Sequence, residues 1–368
     1  MKVLLLSDIA SEHTEKWALG LAEIGIQVGL FSFNKSSYPW YQNKKNIEML
    51  YEPDKSLNSD SKFSKLTYLT LVNKLKAVIK SFNPDVLHAH YATSYGLIGA
   101  MSGFHPFIIS AWGTDVMKFP QKNVFNRSVL KYNLRKADAI CATSNTVKEF
   151  LKPVTKKNVF VVPFGVDIDI FSQKKVMNIA GENAFVIGCI KSLETLYNID
   201  VLIKAVALLT KRNPEKKIKA LIIGVGSQEK NLKNLVKQLH LEENVIFTGR
   251  IPFNQISDYF NMLDVLVNIS DYESFGVSVI EAMACSKAVI ATNTGGLKEI
   301  INNEAVGKLV AIKDVEATAA AIELYMNNEE LRLNTGINAR ERVIKNYDWK
   351  NNVREMNKIY ESLIKTRN

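Results

Sequence analysis

The chain holds only three cysteines in 368 residues: Cys141, Cys189 and Cys285, odd in number and far apart. That excludes a disulfide framework, and none of them sits in a metal-ligand spacing. They read as reduced core thiols of a cytoplasmic protein. No apolar run approaches the ~18 residues that a membrane-spanning helix needs. The opening MKVLLLSDIA has one lysine and a short apolar run, then turns acidic and polar, as a first strand does and a signal peptide does not. Low-complexity segments and short-period repeats are missing as well.

What is present is a globular composition, 47% hydrophobic and 23% charged. The length exceeds one ordinary core, so two domains are expected. Net charge is +10, and it is unevenly placed. Residues 1–165 carry 21 Lys+Arg against 12 Asp+Glu, whereas residues 166–368 carry 26 against 25. Such asymmetry points the first half towards something anionic: a membrane surface, a phosphorylated lipid or a nucleic acid. Nucleic acid is the weakest of these, because no recognised binding module occurs.

Apolar runs alternate with segments of helical period in both halves. KVLLLSD, IQVGLFSF, DVLHAH, PFIISAW, ADAICAT and NVFVVPFG read as strands of the first half. AFVIGCI, ALIIGVG, NVIFTG, VLVNIS, AVIATN and GKLV read as strands of the second. Helices are expected between them, including 63–82 in the first half and 198–211, 228–239, 255–262, 277–285 and 315–327 in the second. This alternation argues for an α/β protein with two doubly wound, Rossmann-like domains facing across a cleft. The expected division is 1–165, 166–345, and a terminal helix over 346–368 that packs back on the first domain.

One stretch concentrates chemistry. VLVNIS is a strand, DYESFG the turn beyond its carboxyl end, and VSVIEAMAC the start of a helix. Helix-start N–H groups lack intrahelical partners, so Ser274, Phe275, Gly276 and Val277 surround a place for an anion. Glu273 at the mouth can accept hydrogen bonds from hydroxyls, and Glu281, two turns on, can accept both hydroxyls of a ribose. A phosphate with a hydroxyl-bearing ring on either side describes a sugar nucleotide.

These residues, with EAMAC and ATNTGGLKEII, resemble the signature of family 4 glycosyltransferases, the group 1 family of retaining enzymes with the GT-B fold. NPDVLHAHYATSYG, HPFIISAWGTD, VVPFGVDIDIF and LIIGVGSQEKNLKNLVKQL extend the resemblance over nearly the whole chain. It implies transfer of a sugar from a nucleoside diphosphate to an acceptor hydroxyl, with no metal and no cofactor. It also implies that basic side chains meet the charge of the leaving phosphate. The family places an Arg and a Lys six residues apart for this; here Lys191 takes the first position and Tyr197 the second. Arg250 and Ile251 match the loop that reads the base. His90 and Asp115 join Glu273 and Lys191 as catalytic candidates, and His13, His90 and Trp112 form the acceptor side. Trp112 stands where many relatives have a histidine. Gly295 and Gly296 match a small-residue turn.

The expected acceptor is a lipid-linked saccharide of surface-polysaccharide assembly, met on the inner face of the cytoplasmic membrane. SSYPWYQNKKN, with Tyr38, Trp40 and Tyr41 beside Lys44 and Lys45, is the expected membrane-touching loop. The lysines around the 63–82 helix are a second candidate. Rival readings are a sugar-nucleotide 2-epimerase of the same fold and a nucleotide-sugar-binding protein that has lost catalysis.

Overall fold

Strands covered on both faces show no polar alternation, and the chain's apolar runs are of that kind. The computed structural model describes residues 1–56 and 65–366. The chain divides into two units, residues 1–164 with 350–368, and residues 165–349.

The first unit is built on seven parallel strands: β1 (Lys2–Leu6), β2 (Gln27–Phe31), β3 (Ile47–Tyr51), β4 (Val86–His90), β5 (Phe107–Ala111), β6 (Ala139–Ala142) and β7 (Val159–Val161). Their order is β3-β2-β1-β4-β5-β6-β7. The helices between them are α1 (Glu12–Glu23), α2 (Lys65–Phe82), α3 (Ser94–Ser102), α4 (Thr114–Met117), α5 (Val124–Lys136) and α6 (Asn145–Leu151). β4 and β5 are buried at every position.

The second unit has β8 (Phe185–Ile190), β9 (Ile218–Ile223), β10 (Val245–Gly249), β11 (Val265–Asn268), β12 (Ala288–Thr292) and β13 (Lys308–Val310), again all parallel, in the order β10-β9-β8-β11-β12-β13. Its helices are α7 (Ile199–Arg212), α8 (Glu229–Gln238), α9 (Phe253–Met262), α10 (Val277–Ala284), α11 (Leu297–Ile300), α12 (Val315–Asn327) and α13 (Glu329–Tyr347). α7 shows why they form: Val201, Leu202, Ala205, Val206 and Leu209 recur at helical spacing and are all buried on the sheet.

The last helix, α14 (Trp349–Lys365), belongs almost wholly to the first unit. Tyr360 hydrogen-bonds Nδ1 of His88 on β4 at 2.7 Å, and Asn352 donates to the Pro163 carbonyl at 3.0 Å. Among the described residues no helix is long and apolar enough to cross a membrane.

Two expectations need correction. Trp40 and Tyr41 are buried, and only Tyr38 of that loop's aromatics is well exposed. Trp40 donates its indole N–H to the Ile9 carbonyl at 2.9 Å, so the aromatics cover the loop after β1 instead of facing a membrane. β3 is a strand that the expected set lacks. Of the apolar residues that fall on one stripe of the expected 63–82 helix, Val72, Leu75 and Phe82 are buried and Ile79 is partly buried; Phe63, Leu66 and Leu69 lie outside the described side chains.

Candidate functional site

Each sheet reverses its strand order once, between β1 and β4 and between β8 and β11. Open parallel sheets bind ligands beyond the carboxyl ends of the strands at such a reversal. In the second unit the residue after β8 is Lys191, and the turn after β11 carries Glu273.

The two side chains form an ion pair and are each about 15% exposed. Lys191 Nζ also lies 5.0 Å from the centre of the Tyr197 ring. Tyr197, in the position where the family resemblance implies a lysine, thus adds no charge but holds the one that is there, by cation–π attraction. Burial works against the Lys191 charge, yet attraction to Glu273, with which it also hydrogen-bonds, raises its pKa above the ordinary lysine value. The site contains a lysine that stays protonated and a carboxylate already bound to it.

Glycines shape the surrounding backbone. Gly276 caps α10 at φ +120°, a conformation that L side chains rarely adopt. A Cβ on Gly295 would lie 1.9 Å from the Glu273 carbonyl oxygen, and Gly296 N–H donates to that same oxygen at 2.8 Å. The Gly-Gly turn therefore cradles the Glu273–Phe275 segment from below. Gly224 and Gly226 do the same for the Lys191 loop: their Cβ atoms would meet the carbonyls of Lys191 and Leu193 at 2.0 and 2.4 Å.

Of the other expected donor residues, Glu281 sits partly buried on α10, one turn beyond Val277. Arg250 is exposed and Ile251 partly exposed in the turn between β10 and α9, next to Gly249, whose carbonyl accepts from Gly224 N–H. Ser274 is partly exposed, and the Phe275 ring is buried against Tyr347. One cation was missed. Lys313, after β13, pairs with Asp271 at 3.1 Å, and the other oxygen of Asp271 accepts from Asn198, the neighbour of Tyr197. No spacing pattern in the sequence joins residue 313 to residue 271.

The first unit gathers His13, His90 and Trp112 into one aromatic cluster. His13 stacks on Phe164 at 4.0 Å and meets Trp112 edge-on at 5.8 Å, while His90 lies 4.9 Å from Trp112. Burial, with Lys16 nearby, lowers the His13 pKa to about 4. His90 is buried, bonded through Nδ1 to Ser7 at 2.9 Å, with Nε2 unpartnered. Its ring packs beside that of Trp112. Asp115 is equally occupied: its carboxylate accepts from the backbone N–H groups of Ala92, Trp112 and Gly113 at 2.7, 3.2 and 2.8 Å. Both residues expected to be catalytic here lie buried beyond or at the ends of strands. Ser11 stands at the start of α1 without a side-chain capping bond. Tyr91, at φ +85° directly after β4, was not foreseen; its hydroxyl hydrogen-bonds Thr114. An aromatic residue held there carries backbone strain, which clusters at ligand sites.

Two imidazoles are buried neutral on β4: burial lowers His88 to about 3, and His90 well below the ordinary histidine range, with His88 and His13 adding to it. In the unfolded chain both take up protons near pH 6.5. Their contribution to stability is therefore complete above pH ~6.5 and drains away as pH falls towards the folded values. We predict that stability falls steadily below about pH 6.5, at up to ~2.7 kcal/mol per pH unit for the two groups together, and that the thermal midpoint falls with it. His88→Gln should flatten the curve; equal slopes in both proteins would refute the assignment.

Among the described residues no group of three His, Cys, Asp or Glu side chains is placed to hold a metal ion. Comparison with known proteins agrees with the geometry of both units. Residues 171–342 match the family model described as "Glycosyl transferases group 1", and residues 2–144 that described as "Glycosyl transferase 4-like". The chain is 26% identical over 360 residues to N-acetyl-alpha-D-glucosaminyl L-malate synthase of Bacillus anthracis, covering 94% of this chain and 91% of that protein. In fold it is similar to the sucrose-phosphate synthase of Thermosynechococcus elongatus, with a TM-score of 0.85, 22% identity and all of both chains covered. It is similar also to Anabaena Alr3699/HepE, solved in complex with UDP, with a TM-score of 0.82, 20% identity and 99% and 100% of the two chains covered. Two doubly wound parallel units, a Lys–Glu pair at the switch point of the second and family matches across both place the chain in the group 1 glycosyltransferases, enzymes of the GT-B fold.

Proposed function

We propose that the chain transfers a sugar, with retention, from a uridine-diphosphate sugar to an acceptor hydroxyl, and that the acceptor is a lipid-linked saccharide. The observation that carries the donor half is the Lys191–Glu273 pair at the β8/β11 switch point, at the entrance to α10. Lys191, the first N–H groups of α10 and Lys313 would meet the diphosphate, and Glu273 and Glu281 the hydroxyls of the sugar and the ribose. In the reaction the bond from the anomeric carbon to the β-phosphate oxygen breaks and the bond to the acceptor oxygen forms on the same face. The acceptor proton passes to the departing phosphate. That route needs neither a protein nucleophile nor a metal. UDP is chosen because HepE, of the same fold, is described with UDP bound.

A second acceptor class, a small soluble hydroxy acid, is favoured by the name of the Bacillus anthracis relative. The basic first half fits either acceptor.

The test is a thermal titration with UDP, GDP and their sugars, without metal. At a hundred times Kd a bound nucleotide should raise the midpoint by roughly 5–10 °C. Glu281→Ala should abolish the rise and Lys313→Gln reduce it. A protein indifferent to every nucleotide would end the transferase reading. Release of UDP in the presence of L-malate but not of lipid-linked saccharide would replace the acceptor, and an epimerised sugar nucleotide would replace the reaction.

A further inference from the structure

The basic excess of the first 165 residues is not spread along them. Residues 118–157 hold ten Lys+Arg against two Asp+Glu, net +8, so the remaining 125 residues are close to neutral. In the fold most of this charge becomes one surface. α5 contains no acidic residue, and it packs inward through Leu130, Asn133 and Leu134. The opposite side carries Val124, Ser128, Lys131 and Arg135, spaced three and four apart and so on one stripe. Phe125 and Arg127 flank the stripe.

The segment 152–157, KPVTKK, forms the other wall of an open groove beside Arg135 and Tyr132. Lys157 ties the walls together by donating to the carbonyls of Arg135, at 2.7 Å, and Ala137. Lys152 and Lys156 stand exposed on the rim. The two acids of the stretch are already occupied: Glu149 pairs with Lys152 at 2.7 Å, and Asp138 with His105 at 2.7 Å. Arg127, Lys131, Arg135 and Lys156 enter no ion pair among the described residues, so their mutual repulsion is uncompensated within the fold.

At one end of the same helix two adjacent apolar side chains face outward: Val124 is 81% and Phe125 73% exposed. We propose that α5 and the 152–157 segment form a docking surface for an anionic phospholipid bilayer, with the cations on the headgroups and Val124 and Phe125 at the acyl boundary. Charge complementarity requires an anionic partner, and the exposed apolar pair selects a bilayer over a soluble polyanion, which would leave both side chains in water. The aromatic loop at 36–45 does not compete, because Trp40 and Tyr41 are buried.

The inference deepens the membrane part of the transferase reading, but it is tested without turnover, by sedimentation with vesicles of phosphatidylcholine with and without phosphatidylglycerol. The protein should bind only the anionic vesicles, and added salt should release it. Each cation removed from the surface costs about fivefold in affinity, so Lys131→Gln, Arg135→Gln and Lys156→Gln together should weaken binding on the order of a hundredfold. Phe125→Ser should weaken what remains at high salt, and Lys74→Gln with Lys76→Gln on α2 should change nothing. A triple variant that binds like the wild type overturns the proposal, as does a wild type that ignores phosphatidylglycerol. So does inorganic polyphosphate binding as tightly as vesicles with Phe125→Ser inert. The UDP-induced rise in melting temperature, measured on the same proteins, shows that the variants are folded. It also separates the two readings: vesicle binding without a UDP response leaves the docking surface standing and removes the transferase.

Discussion

Glu273→Gln should bind UDP about tenfold more tightly than the wild-type protein while its rate of sugar transfer falls on the order of a hundredfold. The two effects have one origin. Lys191 is engaged by Glu273, so a diphosphate that binds the lysine competes with a carboxylate for it. A complete sugar nucleotide compensates the displaced Glu273 with sugar hydroxyls; UDP alone offers it nothing. On the proposed function the pair would favour donor over product, and its re-formation would help to expel UDP after transfer. A glutamine ends the competition, hence tighter UDP, but accepts weaker hydrogen bonds from the sugar, hence slower transfer. Lys191→Met is the contrasting case: it leaves Glu273 unpaired beside the phosphate site and should cost 10²–10³ in transfer with no gain in UDP affinity. Calorimetry with UDP on the three proteins decides. If Glu273→Gln binds UDP no better than the wild type, the two side chains do not compete with the nucleotide.

Gly295→Ala should be nearly as damaging, although the residue bears no functional group. Its φ of +47° is uncommon for an L residue, and the new Cβ would sit 1.9 Å from the Glu273 carbonyl. Backbone strain of this kind costs roughly 1–3 kcal/mol, and the clash can be relieved only by moving the turn that carries Glu273. We expect a lowered midpoint and loss of the UDP response together. Gly25→Ala is the control, because Gly25 has φ +85° but no atom within 4 Å of the added Cβ. It should cost some stability and leave nucleotide binding intact. A Gly295→Ala protein with an unchanged UDP response would show that the cradle does not set the Glu273 geometry.

The central strands of the second unit, β8, β9, β11 and β12, were legible because each is a largely apolar run between turn residues, the pattern of a strand covered on both faces. β3 was not: Ile47–Tyr51 has no fully buried residue and lies at the sheet edge, so neither apolar run nor alternation marks it. Glu273 could be read from its turn and helix, but its partner could not, since residues 191 and 273 meet only through the β8/β11 adjacency. Tyr197 looked like a loss until its ring was found against Lys191. Trp40 and Tyr41 misled because aromatic and lysine residues in a loop look alike whether they cover a strand or face a membrane. For His90 and Asp115 the position at a strand end was visible and the burial was not. The charge of residues 118–157 was legible throughout, but counting by halves diluted it.

The hydrogen bond between His88 on β4 and Tyr360 on α14 has a consequence for how the protein is made. Residues 165–349 form a unit from one uninterrupted stretch, whereas the unit that starts the chain also needs α14. A ribosome adding ~5–20 residues per second spends roughly ten to forty seconds on the intervening stretch. For that time the first sheet waits with the seat of Tyr360 uncovered, and the unit whose synthesis begins second has all its parts before the first does. The polypeptide is thus completed out of order, and the early half is the one that needs shelter from aggregation while it waits.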